Sequence, residues 1–198
     1  MANINLSDLL DGGGGHPYPS GVPIIGPIPD QVGAANSSNT DYLLSFVPRA
    51  DVTVDKLWWY RASATAGNIY MGVIDASGNR LDDCAVDSNT TIGVHEISTT
   101  NFDMVAGNWY GVIINGSAGV IGGEPSPSRS DTVNAQHAVY AMLNPPQLSM
   151  FSGGTFPLTS ERWSMISRSR TNAAVPDPAT MTGYNAGNDI LLMGIVPT

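Results

Sequence analysis

Four acids crowd one short stretch of the chain: Asp75, Asp82, Asp83 and Asp87. Calcium takes several carboxylate and carbonyl oxygens at once, so such a group invites a cation. The spacing matches no strict calcium loop, however, and Asp and Asn are also the residues that satisfy turn geometry. The acids are expected to serve a turn, with a metal as the weaker alternative. A glycan-cleaving enzyme would need two facing carboxylates, which a β-fold can bring together from distant positions. The three histidines, His16, His95 and His137, share no ligand-type spacing. The sequence contains no nucleophile elbow, no phosphate-cradling glycine loop and no H-E-x-x-H helix. The single cysteine, Cys84, excludes an intrachain disulfide and a thiolate-rich zinc site, and is expected to be a small core residue. The expectation is a chain that binds or assembles without catalysis and without a cofactor.

Aromatic residues are the other candidates. Trp58 and Trp59 are adjacent, so in a strand they point to opposite faces. One must enter the core. The other, with its period-2 partner Tyr60, would face outward, a second sheet layer or a neighbouring subunit, as an interface anchor or as a platform for a sugar ring. Trp163, beside a long connection, is a second glycan candidate. Trp109 and Tyr110 lie in an apolar run where at least one must be structural.

These residues need a framework, and the composition bounds it. The chain has 198 residues, 42% hydrophobic but only 13% charged, with a net charge of −9. That is enough for one domain with a real core plus a tail. A charge-poor surface suits subunit contacts, because little charge must be desolvated. Eight Lys and Arg without a cluster argue against nucleic acid and against anionic lipid. No apolar run reaches the length of a membrane-spanning helix, and no Lys or Arg precedes Arg49, so a secretory signal is not expected and folding in a cytosol is. The sequons at Asn36, Asn89 and Asn115 are then expected to be coincidental.

Residues 1–40 read as an extended arm, because twelve of them are Gly or Pro. Proline at that density favours an extended path over helix or central strand. The arm still carries Ile4, Leu6, Leu9, Leu10, Val22, Ile24, Ile25 and Ile28, an apolar set suited to lying on a neighbouring surface. Residues 41–198 read as β-structure. Expected strands cover 42–47, 52–63, 69–75, 90–98, 109–115, 120–121, 138–143, 163–167 and 190–196. In the fourth, Ile92, Val94 and Ile97 are expected to point inward, across an irregularity at His95-Glu96. Turns are expected at 76–79 and at Asn115-Gly116. Many short strands with no sustained 3.6-residue period indicate a sandwich or barrel. Three long connections, 122–136, 144–162 and 168–189, are the expected places for ligand or subunit contacts.

Two stretches carry a resemblance. Ile4-Asn5-Leu6-Ser7-Asp8-Leu9-Leu10-Asp11, followed by Gly12 to Gly15, resembles the N-terminal start of tailed-phage tail-fibre and particle-surface proteins. Residues 52–112, through Val52-Thr53-Val54-Asp55-Lys56-Leu57, Ala66 to Asp75 and Val105 to Val112, are similar to a jelly-roll-like sandwich of phage and bacterial surface proteins. The Gly107-Asn108-Trp109-Tyr110 piece departs from the usual aromatic order there. The resemblance implies an all-β, jelly-roll-like antiparallel sandwich with an N-terminal docking arm, made in a host cytoplasm and placed on a virion. It implies tail-fibre, receptor-binding or capsid-decoration service, self-assembly as a trimer, contact with other virion proteins and contact with host-surface polysaccharide. It brings no catalytic residues. The rival expectations are a free carbohydrate-binding module and a glycan depolymerase.

Overall fold

The structure of the chain, a computed structural model, describes residues 24–25, 33–34, 36, 38–46, 48, 50–117, 119–124, 166–180, 182–186, 190–191 and 193–198. These residues form an all-β antiparallel sandwich. The strands are β1 (Ile24–Ile25), β2 (Gly33–Ala34), β3 (Thr40–Phe46), β4 (Val52–Arg61), β5 (Ile69–Asp75), β6 (Ala85–Asp87), β7 (Gly93–Met104), β8 (Tyr110–Gly116), β9 (Gly122–Glu124), β10 (Ile166–Ser169), β11 (Asn185–Ala186), β12 (Ile190–Leu191) and β13 (Met193–Pro197). One sheet has the order β1-β13-β4-β7 and the other β11-β10-β3-β8-β5-β6, with β12-β9-β2 as a small third sheet. Counting β1, β3 to β8 and β13 as successive strands one to eight, the two sheets run 1-8-3-6 and 2-7-4-5. That is the jelly-roll order, in which two Greek keys share one core.

Period-2 alternation builds the core. Leu57 and Trp59 of β4, Met71 and Val73 of β5, Val112 and Ile114 of β8 and Ile195 of β13 pack in the main cluster between the sheets. Several intervening residues of the six-stranded sheet are covered as well. Leu43, Ile74, Trp109 and Ile113 form a second cluster with Val175, Ala179 and Tyr184. The segment after β10 therefore roofs the outer face of this sheet. Glycines make room for it: a Cβ on Gly111 would stand 2.8 Å from the Trp109 ring, and one on Gly72 would stand 3.1 Å from Val175. Part of the expected 168–189 connection is thus a structural cover.

Three expectations are corrected. The boundary at 40/41 cuts into the sheets. Ile24 and Ile25 pair with Ile195 and Gly194, and Gly33 and Ala34 pair with Gly123 and Gly122. Asn36 is buried, donating to the Ser117 carbonyl and accepting from the N–H groups of Val120 and Ile121. A two-residue strand between Pro23 and Pro27 is tolerated because, among the described residues, β1 stands at the edge of its sheet. Second, Ile92 and Val94 are 56% and 63% exposed. The register of β7 sets His95 opposite Trp59 and Ile97 opposite Leu57, so His95 and Ile97 face inward. The irregularity lies further on, where Asp55 alone stands against residues 99–101. Third, Asn115 and Gly116 end β8 instead of forming a turn, and the Asn115 side chain is buried. Ile4, Leu6, Leu9, Leu10, Val22, Ile28, Trp163 and the 138–143 and 144–162 stretches lie outside the described residues.

Candidate binding surfaces

The Asp-rich turn resolves into four separate structural tasks. Asp75 Oδ1 accepts the N–H groups of Ser77 and Asn79, closing the turn after β5. Asp82 is buried and accepts from Val73 N–H and Cys84 N–H. Burial pushes its carboxyl up to about 6, against the lowering effect of those bonds. Asp83 is exposed, and the Thr99 hydroxyl and Thr100 N–H hold it below the usual carboxylate range. Asp87 points to the end of the core. Among the described residues no three His, Cys, Asp or Glu side chains gather as a metal set. Cys84 is buried in the outer cluster with its Sγ accepting Val175 N–H, and burial pushes the thiol up.

The first candidate surface is built around Asp87. Its Oδ2 accepts Trp59 Nε1–H at 3.1 Å and lies 2.5 Å from His95 Nδ1, while its Oδ1 accepts Asn89 N–H at 2.7 Å. The other imidazole nitrogen lies 2.6 Å from the Thr91 carbonyl. A carbonyl only accepts, so Nε2 must carry a proton. The Trp59 and His95 rings meet at 4.9 Å, as cross-strand neighbours do. This core polar group ties down the 88–92 loop, and Val86, Ile92 and Val94 remain exposed around it. They rim a hollow of about 330 Å³ with Asp87, Thr91 and Glu96.

The second surface lies on the outer face of the six-stranded sheet. Register places Arg168, Asp41 and Asn115 in one row across β10, β3 and β8. Asp41 is fully buried. Its Oδ2 takes Arg168 Nε at 3.1 Å and Nη2 at 3.0 Å. Arg170 Nε reaches both its oxygens, at 2.7 and 2.6 Å, and Asn115 Nδ2 donates to Oδ1 at 2.8 Å. The arginines then hold the roof. Arg168 Nη1 donates to the Thr180 carbonyl and its guanidinium stacks 4.5 Å from the Tyr184 ring; Arg170 donates to the carbonyls of Ala173 and Ala174. Burial pushes the Tyr184 phenol up. Sequence reasoning missed this group. The available signal was the Arg168-Ser169-Arg170 spacing, which sends two cations to one strand face.

The aromatic candidates need correction too. Trp59 enters the core, and Trp58 faces the other way, yet Trp58 is only 6% exposed. It is no open platform for a sugar ring. Tyr60 is half-buried, with its ring against Gly122. Arg61 is a buried cation: it donates to the carbonyls of Ser63 and Thr65, and among the described residues its Nη1 has no hydrogen-bond partner. No protein-family model matches the chain, and no curated protein matches it.

Proposed function

We propose that this chain is a structural or attachment subunit on the outer surface of a tailed-phage particle, working by assembly and adhesion instead of catalysis. The observation that carries the reading is an open sheet edge with apolar neighbours. Strand β7 pairs with β4 on one side and, among the described residues, with no strand on the other. Exposed Val86, Ile92 and Val94 lie at the same corner. Exposed edges and apolar patches favour pairing with another chain unless they are blunted. Among the described residues Asp83 blunts the Thr99–Thr100 stretch of this edge. The low charge of the chain reduces the desolvation cost of such a contact.

In this reading copies of the chain associate, as a trimer, through the β7 corner. The docking segment is the part of the leader before β1, with Ile4, Leu6, Leu9, Leu10 and Val22, because Ile24 and Ile25 pair within their own chain. Removing residues 1–22 leaves the sandwich folded and abolishes attachment to the particle. Val94→Lys at the β7 corner leaves a folded monomer. Sedimentation of the full chain, the truncation and the variant measures both effects. A full-length chain that is monomeric at all concentrations, or a truncation that attaches as the full chain does, overturns the reading.

A further inference from the structure

The Asp41 group holds two cations against one anion. Both carboxylate oxygens are already occupied by Arg168, Arg170 and Asn115. Each guanidinium has five N–H donors. Three on each are committed, to Asp41 and to the carbonyls of Thr180, Ala173 and Ala174. Among the described residues, two N–H groups per arginine and one unit of positive charge are left over. The arginine side chains are 8% and 18% exposed, so this surplus is shielded from bulk water yet reachable. A hollow of about 450 Å³ opens beside both, with Ser169, Thr180 and Thr182 on its walls and Pro176 at one side. Those three residues are exposed.

We propose that this hollow is an oxyanion site that takes the carboxylate or sulfate group of an acidic sugar. Forked guanidinium donors match the geometry of such groups. Partial burial strengthens the attraction over that of a surface arginine. The wall hydroxyls suit a sugar's own hydroxyls, and the volume lies within the range of small-ligand sites. The inference goes beyond the assembly reading and does not depend on it, because no residue of the hollow belongs to the β7 corner or to the leader.

The test uses the full chain, observed by amide NMR during titration with glucuronate, with glucose as the neutral counterpart and inorganic sulfate as competitor. Glucuronate produces saturable shifts at Ser169, Thr182 and Gly183 with a Kd on the order of 1 mM. Sulfate displaces it, and glucose gives no shift. Thr182→Asp places a carboxylate at the wall of the hollow without touching the Asp41 group, and weakens binding at least about tenfold by like-charge repulsion. Should that variant fail to fold, raising NaCl from about 0.05 to about 0.3 M weakens wild-type binding severalfold by screening. No saturable shift up to about 50 mM glucuronate, far above that Kd, an equal response to glucose, or binding indifferent to both the variant and salt overturns the proposal.

Discussion

Arg168 stands directly opposite Asp41 in the β10–β3 ladder, and Arg170, two residues on, reaches back to the same carboxylate. One buried acid thereby fastens a strand, the neighbouring β8 through Asn115, and the roof over the outer core. Breaking a buried pair by removing one partner leaves an uncompensated charge. Asp41→Ala is expected to cost about 3–5 kcal/mol by urea denaturation, with amide exchange accelerating across 170–184 before it does in β4. Equal acceleration in both would show that the roof is not held separately.

The Asp82 carboxyl makes stability depend on pH. Its value is raised to about 6 in the fold from 3.8 in the open chain, so the folded state holds the extra proton between those limits. The group contributes most below the lower value, and its contribution is lost as pH rises through the higher one. Relative to Asp82→Asn, the wild type should lose on the order of 3 kcal/mol between pH 4 and pH 7. Denaturant midpoints for both chains across that range measure it; parallel curves would refute it.

Asp87 accepts from Trp59 and Asn89 and pairs with His95, so its loss orphans several groups at once. Asp87→Ala should cost about 2–3 kcal/mol, in the range for stranded buried partners. It should also free the 88–92 loop, read as proteolytic nicking there that the wild type resists.

Trp58 tests whether the outward tryptophan is structure or platform. At 6% exposure its truncation should cost about 3–5 kcal/mol, measured by thermal or urea unfolding. A loss under about 1 kcal/mol, the size of a surface substitution, would return Trp58 to the list of accessible aromatics.

The leader divides at β1. Removal of residues 1–40 deletes β1, β2 and Asn36, leaving Val120 and Ile121 N–H groups without their acceptor. That chain should be less stable than the one lacking only 1–22. Asn36→Ala alone should cost about 1–3 kcal/mol. Identical unfolding midpoints for the two truncations would place all the stability after residue 40.

Along the chain, β-propensity and period 2 were enough to locate β3, β4, β5, β8 and β13 within a few residues, and to send one of Trp58 and Trp59 inward. They were also enough for an all-β sandwich with few charges to display. These features are local, because side-chain alternation and turn chemistry act over a handful of positions. The tertiary structure decided the rest. Ile24–Ile25 is a strand only because Gly194 and Ile195, some 170 positions later, offer an edge. Ile92 and Val94 face water because the β4 register fixes which side of β7 is inner. Arg168, Arg170 and Asp41 become one group only where β10 meets β3. Pairing and burial depend on distant partners whose positions no local pattern encodes, and the two candidate surfaces of this protein are made of such pairings.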